Sequence, residues 1–223
     1  MTVFVPTMTF TIHLPTLILL SIALNCLIGF VLWWIYHLRG RQSCFILWAW
    51  ACFTFAAGSL LAGARMVIDA PFITVFLAHS LLGLSPLLVL NGLQSFSRLP
   101  SRHHRQFTRI TGIGFGVYLL LLLITFDQPL VTPNAITALF SALLFSVAVY
   151  RLSAIAPKVQ MPVRVLQILF IAHGVLLLAQ ALVTTTNVLT GEVQGLELIL
   201  RLMLINHILL ATATALTLPL MAF

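Results

Sequence analysis

Phe72 to Arg109 reads FITVFLAHSLLGLSPLLVLNGLQSFSRLPSRHHRQFTR, and its two halves decide the class of the protein. The first 25 residues, Phe72 to Phe96, carry no charged side chain. At ~1.5 Å per residue, a helix of that length crosses a hydrocarbon core ~30 Å thick. The second half, Ser97 to Arg109, holds Arg98, Arg102, Arg105 and Arg109. An apolar run followed at once by a basic segment is the pattern of a membrane span that ends on the cytoplasmic side. Inside the apolar run lies one histidine, His79.

The rest of the chain has the same character. Of 223 residues, 61% are hydrophobic and 7% are charged. Soluble domains carry about 25% charged residues, so a water-soluble fold is excluded. The apolar runs are continuous and lack period-2 alternation, which excludes an outer-membrane barrel. The expectation is an all-α, polytopic membrane protein. A net charge of +7 raises the question of nucleic acid, but the basic residues fall in short loops between apolar runs, where they set topology. No nucleic-acid partner is expected. Cys26, Cys44 and Cys52 lie in apolar runs without CxxC spacing, which argues against disulfides or a thiolate metal site. Met1 to His13 has no basic n-region and is expected to stay in the mature protein.

Seven spans follow from the runs: 14–38, 44–64, 72–96, 110–126, 131–150, 165–189 and 196–223. Nine of the eleven Lys and Arg residues lie in the loops after spans one, three and five. Arg65, Arg201 and all four acids, Asp69, Asp127, Glu192 and Glu197, lie on the other side. This segregation predicts an outside N-terminus and a cytoplasmic C-terminus in one seven-helix bundle. Asp69 follows Arg65 by four residues, a spacing that permits a helical ion pair.

Polar groups inside a bilayer are expensive and so are functional candidates. His79 in span three, His173 in span six and His207 in span seven are the prominent ones. Their depths are separated by steps of roughly 6 Å at ~1.5 Å per residue, about the error of the span boundaries. Depth alone leaves their convergence open. Three readings compete. Neutral imidazoles can hydrogen-bond to Asn91, Gln180 and Asn206 on neighbouring helices. Two histidines can hold the iron of a b-type haem, with Arg65 and Arg201 paired to its propionates. The same side chains can bind a metal or small ligand, or sense protons.

Other motifs carry less. Glu197 and Arg201 stand at i and i+4 and form an interfacial ion pair or a polar cavity entrance. His103-His104 in the arginine-rich segment suits an anionic lipid surface. Gly112 and Gly116 form a small-xxx-small face for close helix packing, and the surrounding Gly112-Ile-Gly-Phe-Gly116 lacks the strand that a dinucleotide loop requires. Ser85-Pro86 and Pro219 predict kinks. HExxH, HxxxH and paired carboxylates are missing from the sequence, so this chain is expected to be non-catalytic.

Several segments together resemble a known group. They are His13-Leu-Pro-Thr-Leu-Ile-Leu-Leu, Trp33-Trp34 before a short basic turn, Trp48-Ala-Trp50 leading to Gly58 and Ala64-Arg65, and Leu90-Asn-Gly-Leu-Gln-Ser-Phe96. The pattern is similar to the N-terminal multi-helix sensor regions of bacterial diguanylate cyclases, the GGDEF-domain proteins, and is strongest over the first hundred residues. The resemblance implies a bacterial inner-membrane sensory domain, a homodimer, with a cytoplasmic GGDEF output domain making cyclic di-GMP. The GGDEF signature itself does not occur in this sequence. The resemblance also implies Asn near the position of His79, which leaves the histidine as the mark of a subgroup with its own ligand. Two other classes stay open: a small transporter or channel, and a b-type haem electron-transfer subunit.

Overall fold

Uninterrupted apolar sequence gives a backbone N–H no better partner than the carbonyl four residues earlier, so each run closes into a helix. The structure, a computed structural model, describes residues 14–38, 41–65, 67–96, 101–129, 131–155, 160–190 and 196–221. It is helical throughout, with no strand among the described residues. The helices are α1 (Leu14–Leu38), α2 (Ser43–Ala64), α3 (Ala78–Phe96), α4 (Ser101–Thr125), α5 (Val131–Ile155), α6 (Gln160–Thr190) and α7 (Leu196–Met221). A π-helical segment, Phe72–Leu77, leads into α3. Among the described residues, seven helical segments are long and apolar enough to cross a membrane.

Helix ends differ from the hydropathy boundaries for identifiable reasons. α4 begins at Ser101, well before Ile110, and α5 continues past Tyr150 to Ile155. Arginines stop burial in lipid, but they do not stop a helix. Neither extension contains Pro or Gly. α6 starts at Gln160 with Pro162 in its first turn, where the missing N–H would have had no partner in any case. The loops at 97–100, 156–159 and 191–195, with Pro157, Lys158 and Glu192, lie outside the described residues, as do Met1 to His13 and Phe223. So do the side chains of Arg102, His103, His104, Arg105 and Glu197.

Six helices close a ring. α1 packs on α2, α2 on α3, α3 on α5, α5 on α6, α6 on α7, and α7 returns to α1. α4 stands outside the ring, against α3 and α5. The ring has a solid half and a hollow half. Leu32, Phe45, Trp48, Leu90, Leu152 and Leu166 are almost wholly buried. They come from the C-terminal parts of α1, α3 and α5 and the N-terminal parts of α2 and α6. Alternating helix directions bring those parts to one end of the bundle.

Close packing of α2 on α3 rests on glycine. A Cβ at Gly92 of α3 would fall inside the Trp48 ring of α2. A Cβ at Gly58 of α2 would lie 2.9 Å from the backbone oxygen of Ala78. Small residues let helix backbones approach where no hydrophobic effect drives them together. Trp48 uses the proximity: its indole N–H donates to the Val89 carbonyl at 3.2 Å.

Candidate functional site

The hollow half contains a cavity of about 110 Å³ between α2, α3, α5, α6 and α7. His79, His173 and His207 all line it. The three positions singled out by polarity therefore converge on one space. Pro86, inside α3, lines it as well, and its missing N–H deprives the Leu82 carbonyl of its helical donor.

His79 is the second residue of α3, just after the π-helical segment. Its Nδ1 lies 3.0 Å from Thr137 Oγ1 on α5. Tyr118 of α4 donates its O–H to the His79 backbone carbonyl at 2.6 Å. Tyr118 Oη also lies 3.0 Å from Thr137 Oγ1. Proton counting fixes the direction of this chain. A carbonyl only accepts, so the single Tyr118 proton is used there and Thr137 must donate to Tyr118. Thr137 has then no second proton, so His79 Nδ1–H is the donor to Thr137. The Nε2 atom of His79 is left with a bare lone pair.

His173 is held by the same logic. Its Nδ1 lies 3.0 Å from Asn206 Oδ1 on α7, and an amide oxygen only accepts. Nδ1 carries the proton and Nε2 the lone pair. Phe145 meets the ring edge-to-face at 4.9 Å.

His207 differs. Its ring stacks on Phe55 of α2, with centroids 3.6 Å apart and planes 16° from parallel. The stack covers a face and leaves the in-plane nitrogens open. Both nitrogens are buried, and neither has a hydrogen-bond partner among the described residues. A buried polar atom left unmet costs about 1–3 kcal/mol, so a ligand or water belongs here. The ring centroid of His173 is 5.5 Å away. His207 also borders a smaller cavity of about 50 Å³, which runs toward Trp48, Asn25 and Cys52.

The other expected partners are elsewhere. Arg65 is exposed and lines a separate crevice with Asp69 and Asp127. Arg201 precedes His207 by six residues on α7 and is not among the side chains that line the histidine cavity. Of the three amides, Asn206 bonds to His173 and Gln180 lines the cavity, whereas Asn91 does not border it. Gly112 and Gly116 have no described residue within 4 Å of where a Cβ would stand.

The space does not suit a haem. An engineered cavity of about 150 Å³ holds benzene or xenon, and a porphyrin is several times larger than benzene. Among the described residues, no three His, Cys, Asp or Glu side chains cluster for a metal.

Four participants escaped the sequence reading: Thr137, Tyr118, Phe55 and Met203. Thr and Tyr are ordinary residues of apolar helices and carry no charge to mark them. One signal was present, since Thr137 and Ser141 stand one turn apart on α5 and both line the cavity. Comparisons with protein families, with curated proteins and with solved structures find no match.

Proposed function

We propose that the chain is a membrane-embedded sensory domain that binds a small ligand among its three histidines and relays binding to a cytoplasmic output. The observation that carries this reading is His207, whose two buried nitrogens border a benzene-sized cavity without a protein partner. In the proposed orientation the N-terminus is outside, the C-terminus is cytoplasmic, and the protein is a homodimer in a bacterial inner membrane. The resemblance to GGDEF-protein sensor regions makes a diguanylate cyclase the proposed output and leaves this chain itself non-catalytic.

The relay has a physical basis. α7 supplies Met203, Leu204 and His207 to the cavity, and in the proposed orientation it leads toward the cytoplasm. A ligand shifts two bundle states only by its difference in affinity for them. Moving a population from 1:99 to 99:1 takes about 5.5 kcal/mol of such difference. The packed apolar residues Phe45, Trp48, Leu90 and Leu93 at the other end favour a sensor over a channel. The small cavity likewise disfavours a haem electron-transfer subunit.

The test joins the chain, through a helix continuous with α7, to a diguanylate cyclase domain and measures cyclic di-GMP in cells. His207→Ala and His173→Ala are each expected to change output by about fivefold or more, the usual lower end of allosteric coupling. Output that ignores both substitutions would sink the sensory reading. An absorption scan of the purified protein should show no Soret band, and a stoichiometric one would restore haem.

A further inference from the structure

We propose that His173, His207 and Met203 form a binding site for monovalent copper. The proposal names an occupant for the cavity on which the sensory reading rests. Three independent features point to it: the donor atoms, the charge of the surroundings and the support of the ligands.

The donors come first. The hydrogen bond to Asn206 fixes the His173 proton on Nδ1 and leaves Nε2 as a lone pair. His207 has two buried nitrogens that nothing in the described chain engages. The two rings are 5.5 Å apart between centroids, a separation two imidazoles can span when each binds one ion at about 2 Å from nitrogen. Met203 precedes His207 by four residues on α7, so the two share a helix face, and both line the cavity. Imidazole alone suits zinc, copper, iron or nickel. A thioether beside it selects the softer cuprous ion.

Charge narrows the choice further. Among the described residues, no Asp, Glu or Cys lines this cavity; its other polar members are uncharged, such as Ser85, Asn134 and Gln180. The cost of burying an ion grows with the square of its charge, and a divalent one gains most from carboxylate or thiolate ligands. A monovalent ion with neutral ligands carries the smallest burden.

Support completes the site. A metal-binding histidine usually donates its second ring N–H to an oxygen acceptor, which orients the ring and raises its basicity. Asn206 stands in that place for His173. Phe55, stacked on His207, offers its face to positive charge spread onto a metal-bound imidazole.

The experiment titrates the purified full chain in detergent, without oxygen, against the copper(I)–bicinchoninate complex. The expected result is withdrawal of one copper per chain. Loss of an outer-shell partner costs roughly 10–100-fold in affinity, so Asn206→Leu should fall in that range and His173→Ala and His207→Ala should exceed it. Met203→Leu, close in volume and therefore safe for folding, should weaken binding by about tenfold and remove sulfur from the copper X-ray absorption spectrum. Cys52→Ser should bind as the parent does. Four results would overturn the site: no copper withdrawn by the parent, binding indifferent to Met203→Leu, binding lost with Cys52→Ser, or zinc held more tightly than copper(I). Copper binding and cyclic di-GMP output are separate readouts. Stoichiometric copper with no change in output rejects the sensory reading alone, whereas histidine-dependent output without copper rejects only the metal.

Discussion

α3 and α4 come from the same stretch of sequence and are nearly equal in hydropathy, 2.0 against 1.9, yet they have opposite places in the molecule. Half of the apolar window within Phe72–Ser95 is buried, against 11% within Gln106–Thr125. α3 joins both neighbours in the ring and lends His79 and Pro86 to the cavity, whereas α4 turns Ile113, Val117, Leu120 and Ile124 outward. Both helices contain glycines, and the glycines tell them apart. At Gly83 and Gly92 a Cβ would strike Tyr118 or Trp48, while at Gly112, Gly114 and Gly116 it would meet nothing. Hydropathy reports whether a helix belongs in lipid; close approach reports whether it belongs in the core.

Substitution of α3 glycines should break this contrast most forcefully. Gly92→Val places its side chain inside the Trp48 ring and should destabilise the bundle by about 3 kcal/mol, the upper end of ordinary overpacking. Unfolding in mixed detergent and dodecyl sulfate micelles, followed by circular dichroism, measures the loss. Gly92→Val combined with Trp48→Ala should recover part of it, giving a favourable coupling. Gly58→Val should be comparably harmful but should not be rescued by Leu82→Ala. The obstruction there includes the Ala78 backbone oxygen at 2.9 Å, which no side-chain deletion removes.

A smaller effect is expected where α4 touches the core. Tyr118 is the residue of α4 whose hydroxyl reaches the His79 carbonyl and Thr137, and its ring stacks on Phe140 at 4.2 Å. Tyr118→Phe keeps the stack and deletes the hydrogen bonds. A loss of about 0.6–1.7 kcal/mol is expected, from the average to the maximum measured for such bonds inside a membrane protein. The more informative readout is the imidazole of His79 by nitrogen NMR. In the parent, His79 should be the Nδ1–H tautomer; in the variant, Thr137 is free to donate, and the tautomer should become mixed. A single tautomer in both would refute the proton chain through Tyr118.

These contrasts show what was legible in the sequence. The runs alone placed α1 at Leu14–Leu38 and α2 within one residue, because lipid-compatible sequence leaves the backbone no alternative to a helix. Basic residues misplaced the start of α4, since they end burial and not helicity. The histidines stood out because ionisable groups are rare in apolar spans. Their meeting did not, because sequence gives depth along a helix but not rotation about it when all faces are apolar. Nothing in the sequence marks Tyr118 or Met203 apart from the other residues of their spans. Only the neighbours across the ring reveal the first as a hydrogen-bond donor and the second as a candidate thioether ligand.

The smallest effect is predicted where the sequence pattern was most suggestive. Gly112 and Gly116 have the spacing of a close-packed helix pair, but among the described residues that face meets no partner at either position. Gly112→Leu and Gly116→Leu should therefore destabilise the single chain by less than about 0.5 kcal/mol, as surface substitutions usually do. The better helix propensity of Leu, roughly 0.5–1 kcal/mol for replacing glycine, should tip any change toward stabilisation. A loss comparable to that of Gly92→Val in the same unfolding assay would mean that α4 packs inside the ring. The same variants probe the proposed homodimer. Glycines that serve contact between copies should, once replaced, lower the fraction of cross-linked dimer while leaving chain stability intact. An unchanged dimer fraction would assign the stripe to lipid and leave Tyr118 as the hydrogen-bonded tie between α4 and the core.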